Sequence, residues 1–97
     1  MPTYVLLMKL TEQGARDIKN APQRIDEGIK AMEALGGKTL SFFVTMGKYD
    51  YVGVGEMPDD ETAAAFLLGL AAKGYVKTET LKAFPAAQVA EIVKKLP

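Results

Sequence analysis

Three consecutive side chains able to hold or move a proton, Tyr49, Asp50 and Tyr51, follow a glycine and a lysine in the stretch GKYDYVGVGEM. A carboxylate between two phenols could act as a base with donors beside it, provided that burial or a neighbouring charge moves its pKa toward neutrality. On this reading Phe43, Thr45, Tyr51, Thr78 and Glu79 line a cavity between sheets, because Gly53 and Gly55 leave room beside an aromatic ring. A second reading assigns no chemistry. Gly47 takes a positive φ in a chain reversal and Asp50 braces it, and turn preferences favour this version. The ligand-binding candidates are therefore Tyr49, Asp50, Tyr51, Phe43 and Glu79, with no catalytic residue assigned.

The rest of the inventory removes most familiar chemistries. The chain has no cysteine and no histidine, so disulfides, thiol nucleophiles and the usual zinc and haem ligands are missing, and no metal or cofactor is expected. Twelve Lys and Arg offset twelve Asp and Glu, leaving no net field to draw in nucleic acid or an anionic membrane. The longest apolar stretches, such as FLLGLAA, fall far short of the roughly 20 residues that a crossing needs. MPTYVLLMKL lacks a basic leader and a cleavage site, so cytoplasmic residence is expected.

With 97 residues the chain has enough surface to bury for one core, so residues 1–97 read as one domain. TYVLLMKL is apolar on both alternations, as in a strand covered on both faces. LTEQGARDIKN gives a short polar helix or turn that ends before Pro22, whose ring disfavours helical geometry at Ala21. Ile25, Ile29, Met32 and Leu35 then mark a helix stopped by Gly36 and Gly37. KTLSFFVTM is a strand with Leu40, Phe42, Val44 and Met46 on one face and Thr39, Ser41, Phe43 and Thr45 on the other. After the Gly47 turn, YDYVGVGEM returns as its hairpin partner.

Pro58 ends that strand, Asp59 caps a second helix with Ala63, Phe66, Leu67, Leu70 and Ala71 on its buried stripe, and Gly74 closes it. YVKTETLKAF is a fourth strand, and PAAQVAEIVKKLP a last helix expected to bury Val89, Ile92, Val93 and Leu96. Gly28 and Gly69, inside the two main helices, suggest close helix contact. Arg24 reads as a surface residue paired with Asp26 or Glu27 rather than an anion clamp.

The order strand, helix, strand, strand, helix, strand predicts an α+β, ferredoxin-like βαββαβ fold. Right-handed crossovers put both main helices on one face of a four-stranded antiparallel sheet, with an extra C-terminal helix. The other face then exposes Phe43, Tyr51 and half of the first strand, a patch larger than a monomer usually shows, so a sheet-to-sheet homodimer is expected. RRM domains share this element order, but Asp50 between the tyrosines and the neutral chain argue against RNA.

GKYD, with LTEQG, NAPQRIDEGIKAMEALGG and MPDDETAAAFLLGLAAKGYVKTETLKAF, resembles the GYD domain family over nearly the whole chain. The resemblance implies a relative of the dimeric α/β barrels and carries no assigned reaction. Some dimeric α/β barrel relatives are haem enzymes or cofactor-free oxygenases; the iron-binding histidine of the former has no counterpart here. The leading expectation is a small homo-oligomeric domain that binds a small molecule or a protein partner near the intersubunit sheet face. The alternative is a cofactor-independent enzyme in which Asp50 and a tyrosine transfer protons.

Overall fold

The computed structural model describes residues 1–97. Strand β1 spans Thr3–Leu10 and helix α1 Glu12–Arg16; a 3-10 turn at Ile18–Asn20 leads into helix α2, Ala21–Ala34. Strands β2 (Lys38–Val44) and β3 (Tyr51–Glu56) precede helix α3 (Asp60–Lys73), strand β4 (Val76–Ala83) and helix α4 (Val89–Val93). The sheet order is β2-β3-β1-β4 with every neighbouring pair antiparallel, and the helices pack on one side. This is the ferredoxin-like α+β arrangement that the element order predicts. No helix is long and apolar enough to cross a membrane.

The helix boundaries follow from capping. The Asp59 carboxylate accepts from the Thr62 N–H at 2.8 Å, and Gly74 ends α3 in the left-handed region at φ 79°. Gly36, at φ 87°, stops α2 in the same way. Pro22 does not break the chain as expected: Ala21 is helical at φ −55° and ψ −43°, so the 3-10 turn feeds directly into α2 with the proline in its first turn.

Register decides which side chains meet. Tyr4, Leu6 and Met8 on β1 lie opposite Gly55, Gly53 and Tyr51 on β3, and these residues face the helices and are buried. Val5 and Leu7 pair with Val54 and Val52 on the open face. Tyr51 therefore belongs to the core, at 6 % exposure, and not to the open patch where the sequence placed it. On β2 a bulge between Thr39 and Ser41 breaks the alternation, so Thr39 joins Phe42 on the helix side and its hydroxyl reaches the Met32 sulfur. Phe43 stays on the open side, opposite Val52.

Further expectations fail for reasons visible in the packing. A methyl added at Gly28 or Gly69 would meet nothing within 4 Å, so neither glycine serves close helix contact. Close approach occurs elsewhere: a Cβ at Gly14 would sit 2.1 Å from the Tyr75 carbonyl oxygen, and one at Gly55 3.0 Å from Met32. Ala71, expected on the buried stripe of α3, is exposed. Val89, Ile92, Val93 and Leu96 are not buried, because the segment after β4 leaves the fold and every residue from 84 to 97 is exposed.

Candidate functional site

The five candidate residues fall into three settings. On the open face, the Tyr49 hydroxyl donates to the Glu79 carboxylate, linking the loop before β3 to β4. This bond raises the Tyr49 pKa, because ionising the phenol would set a second negative charge against the carboxylate. Lys48 lies 5.6 Å from the centre of the Tyr49 ring, and Lys9 stands directly opposite Lys77 across the β1–β4 ladder. The result is a shallow, lysine-rimmed depression of about 250 Å³ floored by Leu7.

Asp50 points elsewhere. Its carboxylate accepts from the Leu10 N–H at 2.9 Å, while its own N–H donates to the Met8 carbonyl and its carbonyl accepts from the Thr45 N–H, each at 2.9 Å. These bonds extend the sheet past the last residues of β1 and β3 and hold the 45–50 loop against them. Gly47 within that loop has a φ of 113°, which explains the glycine. Phe43, 58 % exposed, stands on the open face toward the β2 edge.

Tyr51 lies on the helix side, where its ring meets Phe42 at a centroid distance of 5.5 Å. Burial first, and the Asp50 charge second, raise its pKa. Both rings line an apolar cavity of about 120 Å³ between the sheet and the two main helices. Met8 and Gly53 floor the cavity, α2 contributes Gly28 and Met32, and α3 contributes Phe66. Its rim includes Arg24, whose guanidinium stacks 3.9 Å from the centre of Tyr75 and pairs with Asp17 at 2.7 Å. Arg24 also pairs with Glu27, as expected, at 3.9 Å, and through Asp17 and Tyr75 it ties α2 to the preceding turn and to the start of β4.

The structure thus joins Tyr49 to Glu79, holds Asp50 as a backbone brace, and puts Tyr51 on the opposite face of the sheet from the Tyr49–Glu79 pair. Sequence reasoning placed the open space on the wrong side of Gly53 and Gly55. Their pairing partners, Leu6 and Tyr4, share the alternation that packs toward α2 and α3. It also missed a cluster at the start of α3. The Tyr4 hydroxyl donates to Asp60 at 2.5 Å and Lys82 meets the same carboxylate at 2.9 Å. Asp60 is consequently held below its usual pKa, by Tyr4 first, while burial and the Asp60 bond push Tyr4 up to about 12. The signal available was a tyrosine on an otherwise aliphatic strand, which needs a hydroxyl partner when buried.

A family model described as the GYD domain matches residues 4–93. A protein of Thermus thermophilus, named glutamine synthetase and cystathionine beta-lyase binding protein, is 38% identical over 97 residues, covering 99% of each chain. Among solved structures, that of TTHA0845, also from Thermus thermophilus, superposes with a TM-score of 0.56 at 24% identity, covering 89% of this chain and 96% of the other. The latter likeness bears on the fold alone.

Proposed function

This chain belongs to the GYD domain family, and we propose that it is a homodimeric protein-binding module of the dimeric α/β barrel type, whose work is binding rather than catalysis. The uncovered apolar face of the sheet carries this reading. Val5, Leu7, Val52 and Val54 form its centre, flanked by Phe43 and by Leu81, which is 49 % exposed. A second copy packed sheet to sheet removes this face from water, which at about 25 cal/mol per Å² contributes several kcal/mol before the cost of association.

Such packing leaves the helices outside, available to a different protein. Helix α3 is apolar almost all round, and Ala64, Ala65, Leu68, Ala71 and Ala72 face solvent, with Leu68 72 % exposed. The name of the Thermus relative makes glutamine synthetase and cystathionine beta-lyase the first partners to test. Sedimentation equilibrium is expected to give twice the 10.5 kDa chain mass. Calorimetric titration with each purified enzyme is expected to give saturable binding that Leu68→Glu abolishes. A monomer at micromolar concentration refutes the dimer, and no heat with either enzyme refutes these partners.

A second reading, an apolar small molecule under the helices, is supported by the cavity beside Tyr51. Phenol or indole raising the melting temperature of the wild-type chain favours it. The bond from the Leu10 N–H to Asp50 supports a bracing role for that carboxylate and gives no support to proton transfer.

A further inference from the structure

The cavity beneath α2 and α3 holds a buried polar group that the fold does not use. Besides Tyr51, the polar side chains that border it are Asp17, Arg24, Glu27, Thr39, Lys73 and Tyr75, all of them at least partly exposed. Tyr51 is 6 % exposed. A phenol at that depth ordinarily has a partner, and the hydroxyls of Tyr4 and Tyr49 each donate to a carboxylate. The Tyr51 hydroxyl makes no hydrogen bond within the chain. It is not walled in either, since the hydroxyl that is both unpartnered and sealed belongs to Thr80. Burial and the Asp50 charge raise the Tyr51 pKa, so the group keeps its proton and remains a donor at neutral pH.

We propose that the cavity takes an uncharged, single-ring molecule bearing a carbonyl group, with the Tyr51 hydroxyl donating to the carbonyl oxygen. This inference rests on the small-molecule reading above and adds the chemical class of the ligand.

The walls define that class. A volume of about 120 Å³ is close to the roughly 150 Å³ hole that holds one benzene ring, so the occupant is one ring with a small substituent. The space lies beside Gly28, where an added Cβ meets nothing within 4 Å, whereas at Gly53 it would touch Met8 and Phe42. The thioethers of Met8 and Met32 and the rings of Phe42, Tyr51 and Phe66 surround it, and both kinds of group favour an aromatic neighbour.

Water is a poor match for the Tyr51 hydroxyl, because a held water needs about two to four polar neighbours. The inner wall is mostly apolar, and the Thr39 hydroxyl is turned to the Met32 sulfur at 3.6 Å. An ion suits the site no better. Arg24 at the rim is already engaged by Asp17 and Glu27, and deeper in the cavity no countercharge repays the loss of hydration. A carbonyl oxygen accepts and brings no proton of its own, so its bond with Tyr51 leaves no donor unmatched. The way in lies between α2 and α3, which touch each other less than either touches the sheet. That side is opposite the open face, so pairing of two copies would not block it.

The test uses the full-length chain and three probes. Acetophenone carries the carbonyl, α-methylstyrene keeps the ring and methyl but replaces the oxygen by a methylene, and benzoate adds a charge. Tyr51→Phe deletes a hydroxyl that makes no bond in the fold, so its circular dichroism should match the wild type and its melting temperature should be no lower. NMR titration following the Gly28 and Gly53 amides reads affinity and place together. Acetophenone should bind the wild type and be about three- to tenfold weaker on Tyr51→Phe. α-Methylstyrene should bind both forms alike, and comparing each probe across the two proteins cancels the hydrocarbon's stronger expulsion from water. Benzoate should bind the wild type more weakly than acetophenone. If acetophenone binds both forms equally, the Tyr51 contact is refuted and the apolar cavity stands. Benzoate binding as tightly as acetophenone, or more so, refutes the uncharged ligand. If neither neutral probe moves the Gly28 and Gly53 signals, the small-molecule reading fails and this proposal fails with it.

Discussion

Replacing Gly28 by alanine sets two readings of the same residue against each other. A glycine at a helix contact point would make Gly28→Ala a steric clash and a destabilising change. In the structure the added methyl meets nothing within 4 Å and α2 borders a cavity, so no clash opposes the change. Two gains remain. Glycine in a helix interior costs about 0.8–1.0 kcal/mol relative to alanine, and a methyl that shelters part of its surface in the cavity adds up to about 0.8 kcal/mol. The sum is a stabilisation of about 1–2 kcal/mol. With about 4–8 °C per kcal/mol for a domain of this size, the melting temperature should rise by roughly 4–16 °C. Gly69→Ala is the control, since it sits on exposed α3 with equally open surroundings and should gain the helix-propensity part alone. Urea titrations at one fixed protein concentration, so that association contributes equally, read both differences directly. A neutral or destabilised Gly28→Ala beside a stabilised Gly69→Ala refutes the open space above Gly28, and with it the cavity.

Gly14→Ala should behave oppositely: the new Cβ would meet the Tyr75 carbonyl at 2.1 Å, and urea titration should show a loss of at least about 2 kcal/mol. Thr80→Val removes a buried hydroxyl that has no hydrogen-bond partner, so the unfolding free energy from urea titration should rise by about 1 kcal/mol. Asp50→Ala leaves the Leu10 N–H without its partner, and a loss of about 1–3 kcal/mol, with faster amide exchange at Leu10, is expected. Tyr4, with a folded pKa of about 12 against an ordinary value of 10.0, contributes stability that is fully present below pH 10.0 and is lost as pH rises through about 12. Absorbance titration at 295 nm should show one late-ionising phenol fewer in Tyr4→Phe than in the wild type, in which Tyr49 and Tyr51 are raised as well. Asp60 has the reverse sign: its depressed pKa stabilises above its ordinary 3.8, and that part is lost as pH falls through the folded value.

What could be read from the chain follows from how local the determining interaction is. Asp59, Gly36 and Gly74 act on backbone groups within one turn, so helix ends were legible, and the order of elements with right-handed crossovers left one topology. The face that Tyr51 takes was not legible, because it depends on pairing Tyr51 with Met8 rather than with a neighbouring residue, and a one-residue slip reverses it. The bulge at Thr39–Ser41 is a similar case: alternation through KTLSFFV looks unbroken in sequence, yet Thr39 lies with Phe42. Gly28 misled because a helical glycine records an absence of side chain without saying whether a neighbour or a void takes the space. Tyr49 and Glu79 are 30 residues apart, and only the β1–β4 register together with the 45–50 loop brings them into contact.

Three of the eight buried core side chains are methionines, Met8, Met32 and Met57, the last 1 % exposed, and Met32 rests almost directly on the bare backbone of Gly55. A thioether can flex to fill an uneven gap, but each sulfur can also take up an oxygen. Met8 and Met32 border the cavity, whereas Met57, sealed from solvent, meets peroxide only when the packing around it opens. Once they are oxidised, the polar, bulkier sulfoxide prevents α2 from settling back. Momentary breathing would then be converted into lasting damage, and the rate of sulfoxide formation at Met57 would report how often its packing opens.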